Sequence, residues 1–279
     1  MIFECVANVS EGRDQAFLSE LATATAPVLL DLHRDPDHHR SVLTLAGAAD
    51  QVAEAAKALA TLSVARLDLR THDGAHPRLG VLDVMPFVPY EPGPLPHLDP
   101  ALAVPLRDNF ARWLGDTLGV PSFLYGPLAG GRDRTLPQLR TGAFTAIAPD
   151  FGPDRPHETA GATAVGARGP LVAYNVWVSS AEVARLVAPL VRGPLVRALG
   201  LAVGDRAQVS CNLVDPFRFG PAQLYDVVTA QVVGIGATVE GAELVGLLPQ
   251  AVLEAVPPAR WSALGLKGDA TIEARLVPR

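Results

Sequence analysis

Histidine and arginine side chains crowd into two loops of this sequence. In the first loop His33, His38 and His39 come just before Arg40, and the second loop, residues 70–80, reads RTHDGAHPRLG. An imidazole can give and take a proton near neutral pH, and a guanidinium can hold a carboxylate with two hydrogen bonds. The pattern predicts acid–base chemistry on an anionic small substrate. Taken singly, each histidine is more often an exposed polar residue of a loop than a functional group.

The segment around His76 is the more specific of the two loops. Pro77 disfavours helical backbone at His76 and holds it extended, and Gly74 permits a close approach by backbone or ligand. Arg78 lies two residues further on and could grip a carboxylate. The spacing fits a rigidly presented imidazole for proton transfer, and it fits an ordinary turn with polar residues equally well.

A metal site is the competing interpretation of the same loops. His38, His39, His72, Asp73 and His76 offer nitrogen and oxygen ligands. Their spacing matches no standard zinc signature, and the sequence has no cysteine pair and no HExxH motif. We therefore expect no metal cofactor. The sequence also lacks a complete GxGxxG and a GxSxG motif, so it predicts neither a dinucleotide site nor a serine nucleophile.

The elements that must position these loops alternate along the chain. Apolar, β-leaning runs predict strands at residues 2–9, 27–32, 41–47, 81–90, 122–126, 171–178, 206–214 and 237–248. Helical spacing of apolar residues predicts helices at residues 13–26, 48–67, 101–118, 180–199 and 220–232. Residues 127–169 are rich in Gly, Pro, Arg and Thr, which is typical of irregular structure. The alternation of strands and helices predicts an α/β (α+β) fold.

The chain is long enough for two hydrophobic cores. Its 279 residues exceed what one core usually organises, and Ser179 lies between a completed strand and a new helix cap. We therefore predict two subdomains, residues 1–178 and 179–279. Each is expected to be a mixed β-sheet with helices packed on one face.

Composition excludes several classes of protein. Lys and Arg number 23 against 29 Asp and Glu, so the formal charge is −6, which excludes a basic protein that coats nucleic acid. Two cysteines, Cys5 and Cys211, cannot build a disulfide scaffold and favour the cytoplasm. We find no secretory signal and no apolar run of the ~18–20 residues that a membrane span needs.

Seven segments occur in one order along nearly the whole chain: ECVANVSEGRD, GAHPRLGVLDVMPFVP, LPQLRTGAF, APDFGP, GATAVGARGPLVAYNVWV, AQVSCNLVDP and AELVGLLPQAVLEA. Together they resemble the formiminotransferase family, the folate enzymes of histidine breakdown. The resemblance implies a one-carbon group transferase with tetrahydrofolate as co-substrate, a folate cleft between two α/β subdomains, and a homodimer. No segment resembles the cyclodeaminase domain of bifunctional relatives, so we expect the stand-alone transferase.

The resemblance also implies site residues. The catalytic histidine of the family motif GEHPRMG falls on His76. Donor-binding candidates are Arg40, Arg78, His33 and Asp31. The folate loop that follows the DFGP motif falls on residues 152–161, and Arg168 is a further folate contact. The folate-binding candidates are Gly152, Pro153, Asp154, Arg155, Pro156, His157, Glu158, Thr159, Ala160, Gly161 and Arg168.

Three positions depart from the family pattern. His33 stands where the family has a carboxylate, His39 where it has an amide, and Ala75 where it has a glutamate beside the catalytic histidine. The donor could therefore be N-formimino-L-glutamate, N-formylglutamate or another formyl or formimino compound. A folate-binding homologue without catalysis and a metal-dependent hydrolase are the remaining alternatives.

Overall fold

A computed structural model of the chain describes residues 1–74, 77–93 and 98–276. The strands are β1 Ile2–Val9, β2 Leu29–Asp35, β3 Arg40–Gly47, β4 Leu82–Tyr90, β5 Ser122–Pro127, β6 Asp133–Arg134, β7 Thr163–Ala167, β8 Val172–Val178, β9 Val196–Val203, β10 Arg206–Leu213 and β11 Val239–Val245. The helices are α1 Gln15–Thr25, α2 Ala49–Arg66, α3 Val104–Leu118, α4 Leu136–Gly142, α5 Ala181–Val191, α6 Pro221–Gly234, α7 Gln250–Glu254, α8 Pro258–Trp261 and α9 Ile272–Leu276.

The described strands form one seven-stranded and one four-stranded sheet, each with its own hydrophobic core. The predicted α/β (α+β) class is therefore confirmed. The chain divides into two compact units between Gly169 and Pro170. The predicted boundary at Ser179 is too late, because β8 pairs with β10 and β11 and so belongs to the second sheet.

The first sheet has the strand order β2-β3-β1-β4-β7-β5-β6. It is mixed, since β7 is parallel to both β4 and β5 while the other pairs are antiparallel. Cys5, Ala7 and Val9 on β1 face a core that α1, α2 and α3 complete. Side chains alternate across a strand, so Glu4 and Asn8 belong to the opposite face. This second face carries the polar groups of the candidate site.

Local sequence signals explain where the helices of this unit begin. Asp14 caps α1 by accepting a hydrogen bond from the Phe17 N–H at 3.0 Å. Thr135 and Gln138 form a reciprocal capping box at the start of α4. The apolar stripe predicted for α2 from helical spacing comprises Val52, Ala55, Ala56, Leu59, Ala60 and Val64. The first five are buried, Val64 is partly buried against the core, and the polar Ser63 is buried beside them.

The prediction of irregular structure over residues 127–169 is wrong in part. This stretch contains α4 and the interior strand β7. The sequence of β7 is Thr-Ala-Val-Gly-Ala, which lacks the bulky residues that usually mark a strand. The ring of Tyr125 supplies the missing bulk, because a Cβ at Gly166 would lie 2.0 Å from its Cζ atom. The sequence pattern of β7 therefore does not identify it as a strand, because the side chain that covers its surface belongs to the neighbouring strand β5.

The second sheet has the strand order β11-β8-β10-β9. Its strand pairs are all antiparallel among the described residues. The expectation of a mixed sheet in this unit is therefore wrong. Helices α5 and α6 pack on one face. The predicted helix over 180–199 ends early at Val191, because Gly193 and Pro194 interrupt it and the chain continues as β9.

No helix in the described part of the chain has both the length and the apolar character that a membrane span requires.

Candidate active site

The loops singled out in the sequence meet at one edge of the first sheet, where β1 ends and β4 and β7 begin. The Ser10 N–H donates to the Val81 carbonyl at 2.8 Å, and the Val81 N–H donates to the Ala160 carbonyl at 3.0 Å. The Leu69 N–H donates to the Thr159 carbonyl at 2.9 Å. These backbone hydrogen bonds connect the end of the candidate folate loop, residues 152–161, to the two ends of the 70–80 loop.

A β-bulge places an acidic residue at the centre of this edge. Asn8 pairs with Val84 and Val9 pairs with Leu82, so Asp83 is the extra residue of β4. Its side chain is 2% exposed. An Asp83 oxygen accepts the Leu79 N–H at 2.7 Å. The same carboxylate also accepts hydrogen bonds from two arginines.

Two guanidinium groups hydrogen-bond to the Asp83 carboxylate. Arg140 donates through Nη2 at 2.7 Å and Arg40 through Nη1 at 3.2 Å. Arg40 also donates through Nε to the Asn8 side-chain oxygen at 3.1 Å, and Arg140 to the Pro77 carbonyl at 3.1 Å. The Arg40 and Arg140 side chains keep exposed fractions of 17% and 23%. The pair is thus fixed by the fold and still reachable from solvent.

Burial and charge act in opposite directions on these groups. Burial alone would raise the pKa of Asp83, but the Arg40 and Arg140 charges and their hydrogen bonds outweigh it and hold that pKa below its ordinary value. Burial, together with the nearby positive charges of Arg140 and Arg78, lowers the pKa of Arg40 to about 10 against the opposing pull of Asp83. The cluster therefore consists of an ionised carboxylate among guanidinium groups that repel one another.

Arg78 is held by the two histidine loops. Its Nη1 lies 2.7 Å and 2.6 Å from the two ring nitrogens of His72, and its Nη2 donates to the His38 carbonyl at 3.3 Å. Burial lowers the pKa of Arg78. A Cβ at Gly74 would lie 2.5 Å from both Arg78 Nη2 and the His38 oxygen. Gly74 is therefore required for this close packing, as the sequence suggested.

His39 and His72 stack with their ring centroids 4.2 Å apart. The Gly12 N–H donates to His39 Nδ1 at 3.2 Å, and a His72 ring nitrogen lies 3.1 Å from the His39 carbonyl. Burial lowers the pKa of both imidazoles, and the Arg78 charge lowers that of His72 further. The neutral rings act as a platform for the loop that carries Arg78.

The predicted catalytic residue His76, with its neighbour Ala75, lies outside the described residues. The chain on either side of it is placed by the His72–Arg78 contacts and by the hydrogen bond from Arg140 to Pro77. Its proposed role stays a prediction.

His33 and Asp31 lie on β2 and share the face of the sheet that carries Arg40. The strand register pairs Asp35 with Arg40, His33 with Val42 and Asp31 with Thr44. Both His33 and Asp31 are partly buried. The structure therefore brings these two donor-binding candidates to the same side of the sheet as the arginine cluster.

The candidate folate loop has an exposed half and an anchored half. Residues 152–156 are exposed. His157 Nδ1 accepts the Ala160 N–H at 3.0 Å, and Glu158 pairs with Arg70 at 2.7 Å. Ala160 is only 1% exposed. The exposed half can meet a ligand through side chains, whereas the buried end serves to fasten the loop.

Arg168 lies away from the loop cluster. It follows the end of β7, with its N–H bonded to the Phe87 carbonyl at 3.2 Å and its Nη1 donating to the Gly169 carbonyl at 2.8 Å. At about 3.3 Å per strand residue, it is roughly 16 Å from the level of Asp83. The structure does not bring Arg168 together with the other folate candidates.

Within the ranges that the structure describes, no three His, Cys, Asp or Glu side chains are grouped to hold a metal ion. Cys5 and Cys211 are buried, and burial raises the pKa of the Cys211 thiol to about 12 and that of Cys5 still further. Both thiols are therefore poor nucleophiles.

Reasoning from the sequence missed Arg140 and Asp83. Both lie within quoted motifs, LPQLRTGAF and GVLDV, so a signal was present. Their meeting depends on the bulge at Asp83 and on the capped helix α4. Neither feature has a pattern that periodicity alone detects.

Comparison with known proteins agrees with this architecture. Residues 2–168 match the model of the formiminotransferase domain, N-terminal subdomain. The chain is 34% identical to a glutamate formimidoyltransferase of Streptococcus pyogenes over 90% of both chains. It is 32% identical to a glutamate formimidoyltransferase of Thermoplasma acidophilum over 90% of this chain and 89% of that one.

The match extends to longer relatives. The chain is 34% identical to the formimidoyltransferase-cyclodeaminase of Sus scrofa over 91% of its own length and 51% of that protein, so it spans about half of this relative. The family model covers more than half of the chain, and two relatives exceed 30% identity over nearly their whole length. The chain belongs to the formiminotransferase family.

Proposed function

We propose that this protein transfers the formimino group of N-formimino-L-glutamate to N5 of tetrahydrofolate, a step of histidine degradation. The observation that carries the proposal is the 34% identity to the Streptococcus pyogenes glutamate formimidoyltransferase over 90% of both chains. The gathering of an arginine cluster and the candidate folate loop at one sheet edge supports it. An anionic donor and a folate would both find partners there.

The reaction needs one proton to be moved. N5 of tetrahydrofolate attacks the amidine carbon of the donor and forms a tetrahedral adduct. The attacking nitrogen then loses a proton, and the departing glutamate nitrogen gains one as its bond to carbon breaks. The products are 5-formiminotetrahydrofolate and L-glutamate. One imidazole can serve as base and then as acid, a role worth about 10²–10⁴-fold. We assign it to His76.

The other candidates bind and orient. Arg40 and Arg78 are proposed to attract the donor carboxylates, and His33 and Asp31 to orient the donor from β2. Residues 152–161 are proposed to hold the folate, with the exposed half of the loop in contact with it. Arg168, at the far end of β7, is proposed to meet a distant part of the folate. Positioning of the two substrates would supply much of the remaining rate.

A transfer assay tests the proposal directly. Purified protein is mixed with tetrahydrofolate and N-formimino-L-glutamate, and the 5-formimino product is followed spectroscopically. Turnover that needs both substrates supports the proposal. A protein that binds folate but turns over no donor would instead be a non-catalytic homologue.

The departures at His33 and Ala75 make the donor the point to test next. N-formylglutamate is assayed beside N-formimino-L-glutamate under the same conditions. A higher kcat/KM with the formyl donor would reassign the substrate and leave the folate chemistry in place. Loss of activity to a chelator would favour the hydrolase alternative.

We also propose a homodimer and a cytoplasmic location, both on the resemblance to the family. Light scattering of the purified protein measures the assembly. Fractionation of the source cells measures the location.

A further inference from the structure

The charges around Asp83 do not balance. Arg40 and Arg140 both hydrogen-bond to this single carboxylate, and Arg78 adds a third positive charge beside them. The acidic Asp73 on the adjacent loop pairs with Arg13 at 2.8 Å. The cluster at Asp83 therefore keeps a surplus of positive charge that an anion would neutralise.

The three arginines differ in how their donors are used. The Arg78 guanidinium lies within hydrogen-bond distance of the His72 ring and donates to the His38 carbonyl. Arg40 and Arg140 also donate to the Asn8 oxygen and the Pro77 carbonyl. Unlike Arg78, they both hydrogen-bond to Asp83, one from each side, and they retain solvent contact. A guanidinium presents five N–H donors in a planar fork that fits a carboxylate. Arg40 and Arg140 are thus the pair arranged to receive one, and Arg78 contributes mainly charge.

We propose that Arg140 is a substrate-binding residue, and that Arg140 and Arg40, held apart by Asp83, bind a carboxylate of the donor's glutamyl group. The inference rests on the proposed function, and it deepens it by naming the group that is recognised. Asp83 is a positioning residue, because it holds both arginines without meeting the donor itself.

The ligand chemistry follows from the surplus charge. Arg40, Arg78 and Arg140 carry three positive charges around the one negative charge of Asp83. A dicarboxylate such as a glutamyl group would neutralise the remainder, whereas a neutral amino compound would leave like charges facing one another. A preorganised pair of arginines also costs little reorganisation when the anion arrives.

The test compares Arg140→Gln with the wild type and with Arg134→Gln. Arg134 is a matched control, since it pairs with Asp150 in the same unit and has no part in the site. Steady-state kinetics are measured for each substrate at saturation of the other. In Arg140→Gln we expect the KM for N-formimino-L-glutamate to rise about 10–100-fold, the range that a charged hydrogen-bond pair provides. The KM for tetrahydrofolate should be unchanged.

A second donor identifies which carboxylate is bound. N-formiminoglycine lacks the side-chain carboxylate of the glutamyl group. If Arg140→Gln loses the wild type's preference for the glutamyl donor, the side-chain carboxylate is bound there. If the KM rises equally for both donors, the α-carboxylate is bound. An unchanged donor KM, or a rise in the folate KM alone, would overturn the proposal.

Binding without turnover separates the two proposals. Calorimetry with L-glutamate, the expected product, is run on the wild type, Arg140→Gln and Arg140→Lys. We expect strong weakening in Arg140→Gln and an intermediate loss in Arg140→Lys, which keeps the charge but not the fork. If the wild type transfers no formimino group yet binds glutamate through Arg140, only the proposed function fails. If it transfers normally and Arg140→Gln and Arg140→Lys both match the wild type, only this inference fails.

Discussion

Two aspartates of the first unit use arginine in different ways. Asp150 accepts the Leu124 N–H at 2.8 Å and pairs with Arg134 at 2.7 Å. Asp83 likewise accepts a backbone N–H, but it pairs with both Arg40 and Arg140. The first group is one carboxylate with one cation, and the second is one carboxylate with two.

This difference separates structure from recognition. At Asp150 the charges cancel, and Arg134 uses a further bond on the Leu124 carbonyl at 3.1 Å, so the pair fastens β5 to the segment before Phe151. At Asp83 the positive charge exceeds what the fold needs for its own pairing. Surplus charge that is held rigidly and partly exposed is the feature that an anionic substrate can use.

The largest expected effect is the loss of turnover when the predicted acid–base residue is removed. His76→Ala should lower kcat by about 10²–10⁴-fold, because the proton transfer loses its acid and base. The variant should still bind tetrahydrofolate and melt like the wild type. Turnover close to that of the wild type would remove His76 from the mechanism.

Asp83→Asn and Asp150→Asn compare the two aspartates directly. Asp83→Asn should lower the free energy of unfolding by roughly 2–3 kcal/mol, since two guanidinium groups lose their shared counter-charge. Asp150→Asn should lower it by about 1 kcal/mol, since both side chains of the Arg134–Asp150 pair keep solvent contact. Chemical denaturation measures both, and equal costs would contradict the distinction between the clusters. Only Asp83→Asn should also raise the donor KM.

The sequence predicts most of this architecture and much less of the cluster. The apolar stripe of α2 and the run that forms β4 follow from periodicity alone, and both lie within a residue or two of the predicted bounds. Strand β7 escaped prediction because Tyr125 fills the space over Gly166. The helix predicted over residues 180–199 is also too long, because β9 begins at Val196, after Gly193 and Pro194.

The site shows the same limit. The paired loops were found because histidine and arginine are conspicuous in them. Asp83 and Arg140 were not, because an aspartate in a strand and an arginine on a short helix have no distinctive spacing. They meet through tertiary structure, namely a bulge opposite Asn8 and a helix placed over the sheet.

Acid should weaken the contribution of Asp83. Its pKa is lowered in the folded protein from an ordinary value of 3.8, with burial opposing and the arginine charges and hydrogen bonds prevailing. The stabilisation is therefore complete above pH 3.8 and is lost as the pH falls toward the folded-state pKa. The gap in unfolding free energy between the wild type and Asp83→Asn should narrow on acidification. A gap that widens would show that Asp83 is protonated more easily in the fold.

A smaller effect is expected at the exposed half of the folate loop. Arg155→Ala should raise the KM for tetrahydrofolate about fivefold, the loss of roughly one hydrogen bond at a solvated site. The KM for the donor should not change, in contrast to the arginines at Asp83. Steady-state kinetics with each substrate varied in turn make the measurement. An unchanged folate KM would favour the view that residues 152–156 only connect two elements.

Arg134→Gln should have the smallest effect of all. Its pair with Asp150 is balanced, and the side chains keep exposed fractions of 18% and 23%, so the loss of unfolding free energy should be about 1 kcal/mol or less. Neither KM should move, because no surplus charge is removed from the candidate site. A raised donor KM in this variant would mean that long-range positive charge, rather than the geometry at Asp83, attracts the donor. Repeating the assay at high salt would then decide, since screening abolishes a long-range effect and spares a bidentate contact.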